Sequence, residues 1–222
     1  MNPILKIGHR GAKGYEPENT LISFEKVIDL KVDGIELDVH LSSDGEIMVI
    51  HDETIDRTKT QKCFVDNLTA SQLKELGIPT LIDVLDLVNR RCFVNVELKG
   101  IGTSKPVVEL IEHYVLAKNW NYKDFLVSSF DWKMLEDVQL WNPKIRIGVL
   151  AEDIIETALA FAKKTNAFSI HPYYVLLSKE NVALMQENGF EVYTWTVNST
   201  AGIQKIKSFN VNGIISDFPD RI

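Results

Sequence analysis

Cysteine is scarce in this chain: Cys63 and Cys92 are its only two among 222 residues, too few for a disulfide framework. They are expected to be free thiols in a reducing cytoplasm. No apolar run is long enough to span a bilayer, so stable membrane insertion is not expected. An apolar signal segment is lacking too, since the first strand-like run begins at about Ile4. Positive charge is short, with 24 Lys and Arg against 31 Asp and Glu, a net charge of −7. That balance argues against a nucleic-acid partner. An anionic ligand would need positive charge supplied locally, from a metal or a few basic side chains. Low-complexity tracts are absent, and the 45% of apolar residues is ordinary for a globular protein.

What the chain does have is rhythm. Strand-like runs at Leu5–Ile7, Gly34–Val39, Cys92–Leu98, Phe125–Ser128, Ile145–Val149, Ala167–Ile170, Val192–Thr196 and Gly213–Ile215 alternate with helix-like ones. The helical patterns cover Thr20–Leu30, Thr80–Val88, Pro106–Ala117, Trp132–Leu140, Ile154–Lys164, Lys179–Glu187 and Thr200–Ser208. Asn19, Thr80 and Ser178 stand where N-caps belong, and Gly189 where a C-cap does. Eight strands joined by helices predict an α/β fold, a (β/α)8 TIM barrel formed by residues 1–222 as one domain. Asp217–Ile222 leave room for one helical turn at most. One interval is longer than the rhythm allows. Asp44-Gly45 reads as a hairpin turn into a second apolar run, Ile47–Ile50. Residues 53–79, with a short helix capped by Thr69 and Gln72, read as an insertion on the C-terminal face, where barrel enzymes keep catalytic loops.

Glu36 and Asp38 are two apart in an otherwise aliphatic strand, so both carboxylates share one face while Ile35, Leu37 and Val39 share the other. Paired acids repel unless a cation separates them or one is protonated. Asn95, Glu97 and Lys99 share a face of the third barrel strand in the same way. His9, Arg10, Ser128, Ser129, His171, Trp195, Asn198 and Asp217 fall at or just past strand C-terminal ends, and His51 follows Ile47–Ile50. Glu36, Asp38 and Glu97 could simply pair with Arg10 and Lys99. Three acids against two bases favour a metal instead, and all-oxygen ligation suits one divalent cation, Mg2+ or Ca2+, with Mn2+ a third option. His9 and His51 are either core histidines or acid–base groups, the second reading gaining from the acids nearby. Arg10 and Lys99 are phosphate contacts or structural ion pairs; Trp195 is barrel packing or a substrate wall.

The motifs His9-Arg10-Gly11, Pro17-Glu18-Asn19-Thr20, Asp33 to Val39, Asp44-Gly45, His51-Asp52, Ile78 to Leu81, Glu97-Leu98-Lys99, Ser128-Ser129-Phe130, Trp195 to Asn198 and Gly213 to Asp217 come in an order that resembles the glycerophosphodiester phosphodiesterases. The resemblance spans nearly the whole chain. It implies the same barrel, with Glu36, Asp38 and Glu97 as metal ligands, and His9 and His51 as the acid–base pair. Arg10 and Lys99 would hold the phosphate and Trp195 would line the cleft. The insertion is shorter than the family pattern. The implied partner is a small-molecule phosphodiester, cleaved to glycerol 3-phosphate and an alcohol; a homodimer is an open expectation. Lysophospholipids or other phosphodiesters are the nearest alternative substrates. A Schiff-base role for Lys99 needs a neutral amine, which neighbouring carboxylates oppose. A non-catalytic metal- or phosphate-binding module is the remaining alternative, against which both histidines are intact.

Overall fold

The computed structural model describes residues 3–58 and 62–222. Eight parallel strands form the barrel wall: β1 (Leu5–Gly8), β2 (Gly34–Leu41), β4 (Phe93–Leu98), β5 (Phe125–Ser129), β6 (Ile147–Ala151), β7 (Ser169–Pro172), β8 (Glu191–Thr194) and β9 (Gly213–Ser216). β1 pairs with both β2 and β9, which closes the ring. The fold is the (β/α)8 TIM barrel that the alternating pattern predicts.

Helices α1 (Leu21–Asp29), α3 (Leu81–Val88), α4 (Ser104–Ala117), α5 (Trp132–Trp141), α6 (Ile155–Thr165), α7 (Lys179–Glu187) and α8 (Thr200–Lys207) cover the outside. Each buries one apolar stripe, such as Leu81, Val84, Leu85 and Val88 on α3. These stripes join the outward residues of the strands, including Ile35, Leu37, Val39, Val94 and Val96, in one continuous core. Burying each such side chain contributes roughly 1.5–3 kcal/mol. Inside the barrel, Ile7, Leu126, Tyr193 and Ile215 form a separate apolar plug. After β9 only a single 3-10 turn follows, at Pro219–Arg221.

Between β2 and α3 the chain departs from the repeat. β3 (Ile47–Val49) runs antiparallel to β2, through a turn in which Gly45 takes φ +85. Residues beyond β3 build a small apolar cluster in which Ile55, Val65, Leu73 and Ile78 pack with Met48 and Ile50. Its short helix α2 (Ala70–Glu75) carries the Thr69–Gln72 capping box.

Some boundaries differ from the sequence reading. Thr20, not Asn19, caps α1, accepting from Ser23 N–H, while Asn19 turns to φ +57. β6 starts two residues later than expected because Ile145 N–H bonds back to Asn142 in the preceding turn. Ala167 N–H likewise closes the end of α6 on Ala162 O, so β7 begins at Ser169.

Candidate active site

The i, i+2 spacing on β2 sends Glu36 and Asp38 into the barrel, and register places Asp38 directly across from Glu97 of β4. All three are buried, and one oxygen from each lies within 4.8 Å of the others. Donors hold part of each group in place. Arg10 N–H donates to Glu36 Oε2 at 2.9 Å; Asn19 Nδ2 donates to Asp38 Oδ2 at 2.9 Å; Lys99 Nζ donates to Glu97 Oε1 at 3.0 Å. Glu36 Oε1, by contrast, is buried without a hydrogen-bond partner. Carboxylates fixed from behind, converging on one point with an oxygen left over, are what a small divalent ion requires. These residues could hold a metal.

Without such an ion the arrangement opposes ionisation. Burial, and then the charges of Asp38 and Glu97, push the Glu36 carboxyl well above its ordinary value. Burial and Asp38 raise Glu97 to about 7 despite Lys99. A carboxyl raised in the folded state stabilises the fold fully below its unfolded value near 4.5, and that contribution is lost as pH rises through about 7. The buried histidines, lowered from 6.5, change stability in the opposite sense and mainly below that pH. In chelator, therefore, the wild type should lose a few degrees of melting temperature relative to Glu97→Gln as pH rises from about 4.5 to 7. Scanning fluorimetry of the two proteins side by side would show it. A difference that does not change with pH would contradict the electrostatic picture.

Two histidines face the same cleft, each with its own carboxylate. His9 Nδ1–H donates to Asp217 Oδ1 at 2.6 Å, and His51 Nδ1–H to Asp52 Oδ1 at 2.5 Å. A carboxylate only accepts, so each bond puts the neutral ring's proton on Nδ1 and leaves a lone pair on Nε2. Burial lowers both imidazoles against the pull of their acid partners, keeping them basic yet uncharged near neutrality. Asp217 is itself steadied by Asn198 Nδ2 at 2.7 Å. Arg10 sits at φ +51, an uncommon conformation for a long side chain. That turn aims its N–H at Glu36 and its Nε at Asp38 Oδ2, 3.3 Å away. Gly11 follows at φ +83, where an added Cβ would sit 2.4 Å from Ser23 Oγ.

His9, Arg10, Glu36, His51, Glu97, Lys99 and Trp195 all line one cleft of about 110 Å³, and Asp38 lies against Arg10 at its floor. The eight residues singled out from the sequence are thus brought together. Phe130 completes the wall, meeting Trp195 edge-on at 5.4 Å and lying 5.6 Å from Lys99 Nζ. Three roles escaped the sequence reading: Asp52 and Asp217, the second placed there only as a strand-end residue, as histidine partners, and Asn19 as a support for Asp38. His40 supplies a fourth, its Nε2 meeting the backbone oxygen of His51 at 3.0 Å. His171 belongs elsewhere. It is wholly buried against Ser169 Oγ, and burial drives it down to about 3.

An anionic pocket flanked by two basic rings, a guanidinium and an ammonium is equipped for hydrolysis at an anionic centre, and the barrel carrying it belongs among the hydrolytic TIM-barrel enzymes. The model of the glycerophosphoryl diester phosphodiesterase family matches residues 9–221. A glycerophosphodiester phosphodiesterase of Caldanaerobacter subterraneus subsp. tengcongensis is 35% identical over 234 residues, covering 98% of this chain and 96% of that protein. The crystal structure of the glycerophosphodiester phosphodiesterase of Thermotoga maritima superposes with a TM-score of 0.85 at 28% identity, over 99% of this chain and 97% of that one. An Oleispira antarctica phosphodiesterase in complex with the product sn-glycerol-3-phosphate has the same fold, with a TM-score of 0.87, 24% identity and coverage of 99% and 95%. The chain belongs to the glycerophosphoryl diester phosphodiesterase family and is an enzyme of the phosphoric diester hydrolase class.

Proposed function

We propose that this enzyme hydrolyses glycerophosphodiesters to sn-glycerol 3-phosphate and an alcohol, with Glu36, Asp38 and Glu97 holding one divalent cation and His9 and His51 moving the protons. The observation that carries the reading is the convergence, on one small cleft, of three buried carboxylates and two carboxylate-held imidazoles. Mg2+, Ca2+ or Mn2+ suits the all-oxygen set, and when bound it supplies charge that draws electron density from the phosphate oxygens. Arg10 and Lys99 orient the phosphate, while Trp195 and Phe130 wall the substrate. One imidazole takes the nucleophile's proton at Nε2, and the other, protonated, gives its own to the departing alcohol. Each ring's carboxylate stabilises the imidazolium as it forms. Lys99 is held charged: burial pulls it down, but Glu97 and Asp38 more than offset that. A Schiff-base role is accordingly disfavoured. Cys63 and Cys92 are both free, in keeping with a cytoplasmic setting.

The nucleophile is either water or the substrate's own hydroxyl next to the ester-bearing carbon. A tethered hydroxyl gains the effective molarity that can remove roughly 7–11 kcal/mol from a barrier. It would form a cyclic phosphate that water then opens with the histidine roles exchanged. A release assay over a panel of glycerophosphodiesters tests both levels. Exhaustive chelation should abolish turnover, and Mg2+, Ca2+ or Mn2+ should restore it. Undiminished activity in chelator would remove the metal from the reading. A substrate whose neighbouring hydroxyl is replaced by hydrogen should be turned over poorly if attack is internal, and near normally if water attacks directly.

A further inference from the structure

Arg57 is the one cation on the segment 53–58 that reaches back to the barrel mouth, and it uses every face of its guanidinium. Nη1 and Nη2 grip the two oxygens of Glu18 at 2.9 and 2.7 Å, and Nε bonds Asp52 Oδ2 at 2.6 Å. Neither partner ends there. The other oxygen of Asp52 holds His51 Nδ1, and Glu18 Oε1 also accepts from Arg10 Nη1 at 2.9 Å. A single side chain from the loop after β3 therefore stands behind two groups of different function. One bond chain runs Arg57–Asp52–His51, to a proton carrier. The other runs Arg57–Glu18–Arg10, to the phosphate contact. The Glu18 side chain is only 10% exposed, and burial alone would raise its carboxyl. Arg57 and Arg10 reverse this and bring it down to about 2, and Arg57 with His51 brings Asp52 to about 2 as well. Both acids are thus held as full anions, available to accept from the catalytic side.

We propose that Arg57 is a positioning residue that sets His51 and Arg10 in mutual register, tying the acid–base group of one loop to the phosphate contact of another. This rests on the reading of His51 and Arg10 given above. Two features separate it from ordinary surface pairing. Although the Arg57 side chain is 47% exposed, the Glu18 side chain that it grips is only 10% exposed. The contact is also geometric: only a planar fork reaches both oxygens of Glu18 and one of Asp52 at once, whereas an ammonium is a point charge.

The test uses the full-length enzyme with its metal and sn-glycero-3-phosphoethanol as substrate, comparing Arg57→Ala, Arg57→Lys and His51→Ala. Arg57→Ala should lower kcat about 10-fold, through the loosened His51, and raise KM several-fold, through the loosened Arg10. Arg57→Lys keeps the charge without the fork and should recover less than half of either loss on a logarithmic scale. Wild-type kcat and KM in Arg57→Ala, with His51→Ala inactive, would overturn the positioning role and leave the acid–base assignment standing. Full recovery in Arg57→Lys would overturn it too, because charge alone would then suffice. Should Arg57→Ala fail to fold, the lysine variant decides by the same criteria. Activity in His51→Ala would remove the assignment on which the proposal depends, and the proposal with it.

Discussion

Glu97→Gln should bind a divalent cation and turn over substrate at least about 10²-fold less well than wild type, in a barrel that is otherwise intact. The amide keeps the shape of the side chain, and its oxygen can still accept from Lys99 Nζ, now 3.0 Å from Glu97 Oε1. What goes is one of three carboxyl groups whose oxygens converge to within 4.8 Å and which would carry the negative charge facing the ion. The remaining Glu36 and Asp38 present two charges to a dication already offset by Arg10 and Lys99, so affinity falls steeply. Relief of the repulsion should at the same time leave the metal-free variant no less stable than the parent. Calorimetric titration with Mn2+ beside an activity assay reads both losses. They should move together, with excess metal recovering part of the rate. Full activity of Glu97→Gln in metal-stripped buffer would end the metal-ligand assignment.

His9→Ala and His51→Ala should each cost roughly 10²–10⁴ in kcat, the usual contribution of a positioned acid or base. Burial lowers both rings below the ordinary imidazole value, which favours the free base, whereas the proposed proton transfer requires one of them protonated. The pH–rate profile of the wild type should be bell-shaped, its limbs belonging to the pair and not to either ring alone. Removing one histidine should erase one limb, and Asp217→Asn should disturb the limb that His9→Ala erases, because an amide can donate to Nδ1 and so favour the wrong tautomer. A histidine variant with a near-normal rate and an unchanged profile would show that the ring in question carries no proton.

Much of this arrangement is legible in the amino-acid sequence alone. Barrel strands repeat at a rhythm that helices of 8–14 residues cannot hide, except for the shorter α2. Glu36 and Asp38 betray their shared face because strand periodicity is strictly two, and Glu97 repeats the signal on a neighbouring strand. Long-range pairing is what escapes. Nothing local links His9 to an aspartate 208 residues later, or Arg57 to Glu18, 39 residues earlier. Asn19 fails for another reason. Asn and Thr are both good caps, and side by side they compete; Thr20 takes the role, which frees Asn19 for the left-handed turn that delivers its amide to Asp38.

The His9–Asp217 bond also says when in its life a molecule becomes competent. His9 leaves the ribosome 208 residues ahead of its carboxylate, and β9, which seals the barrel against β1, emerges just before that carboxylate. A nascent chain stopped after β8 exposes the open edge of β1, and its His9 has no carboxylate partner. Closure of the wall and completion of the His9–Asp217 pair wait on the same segment, so a polypeptide stopped before it should lack both the sealed barrel and the activity. Turnover during vectorial synthesis would date the sealing of the barrel to the residue.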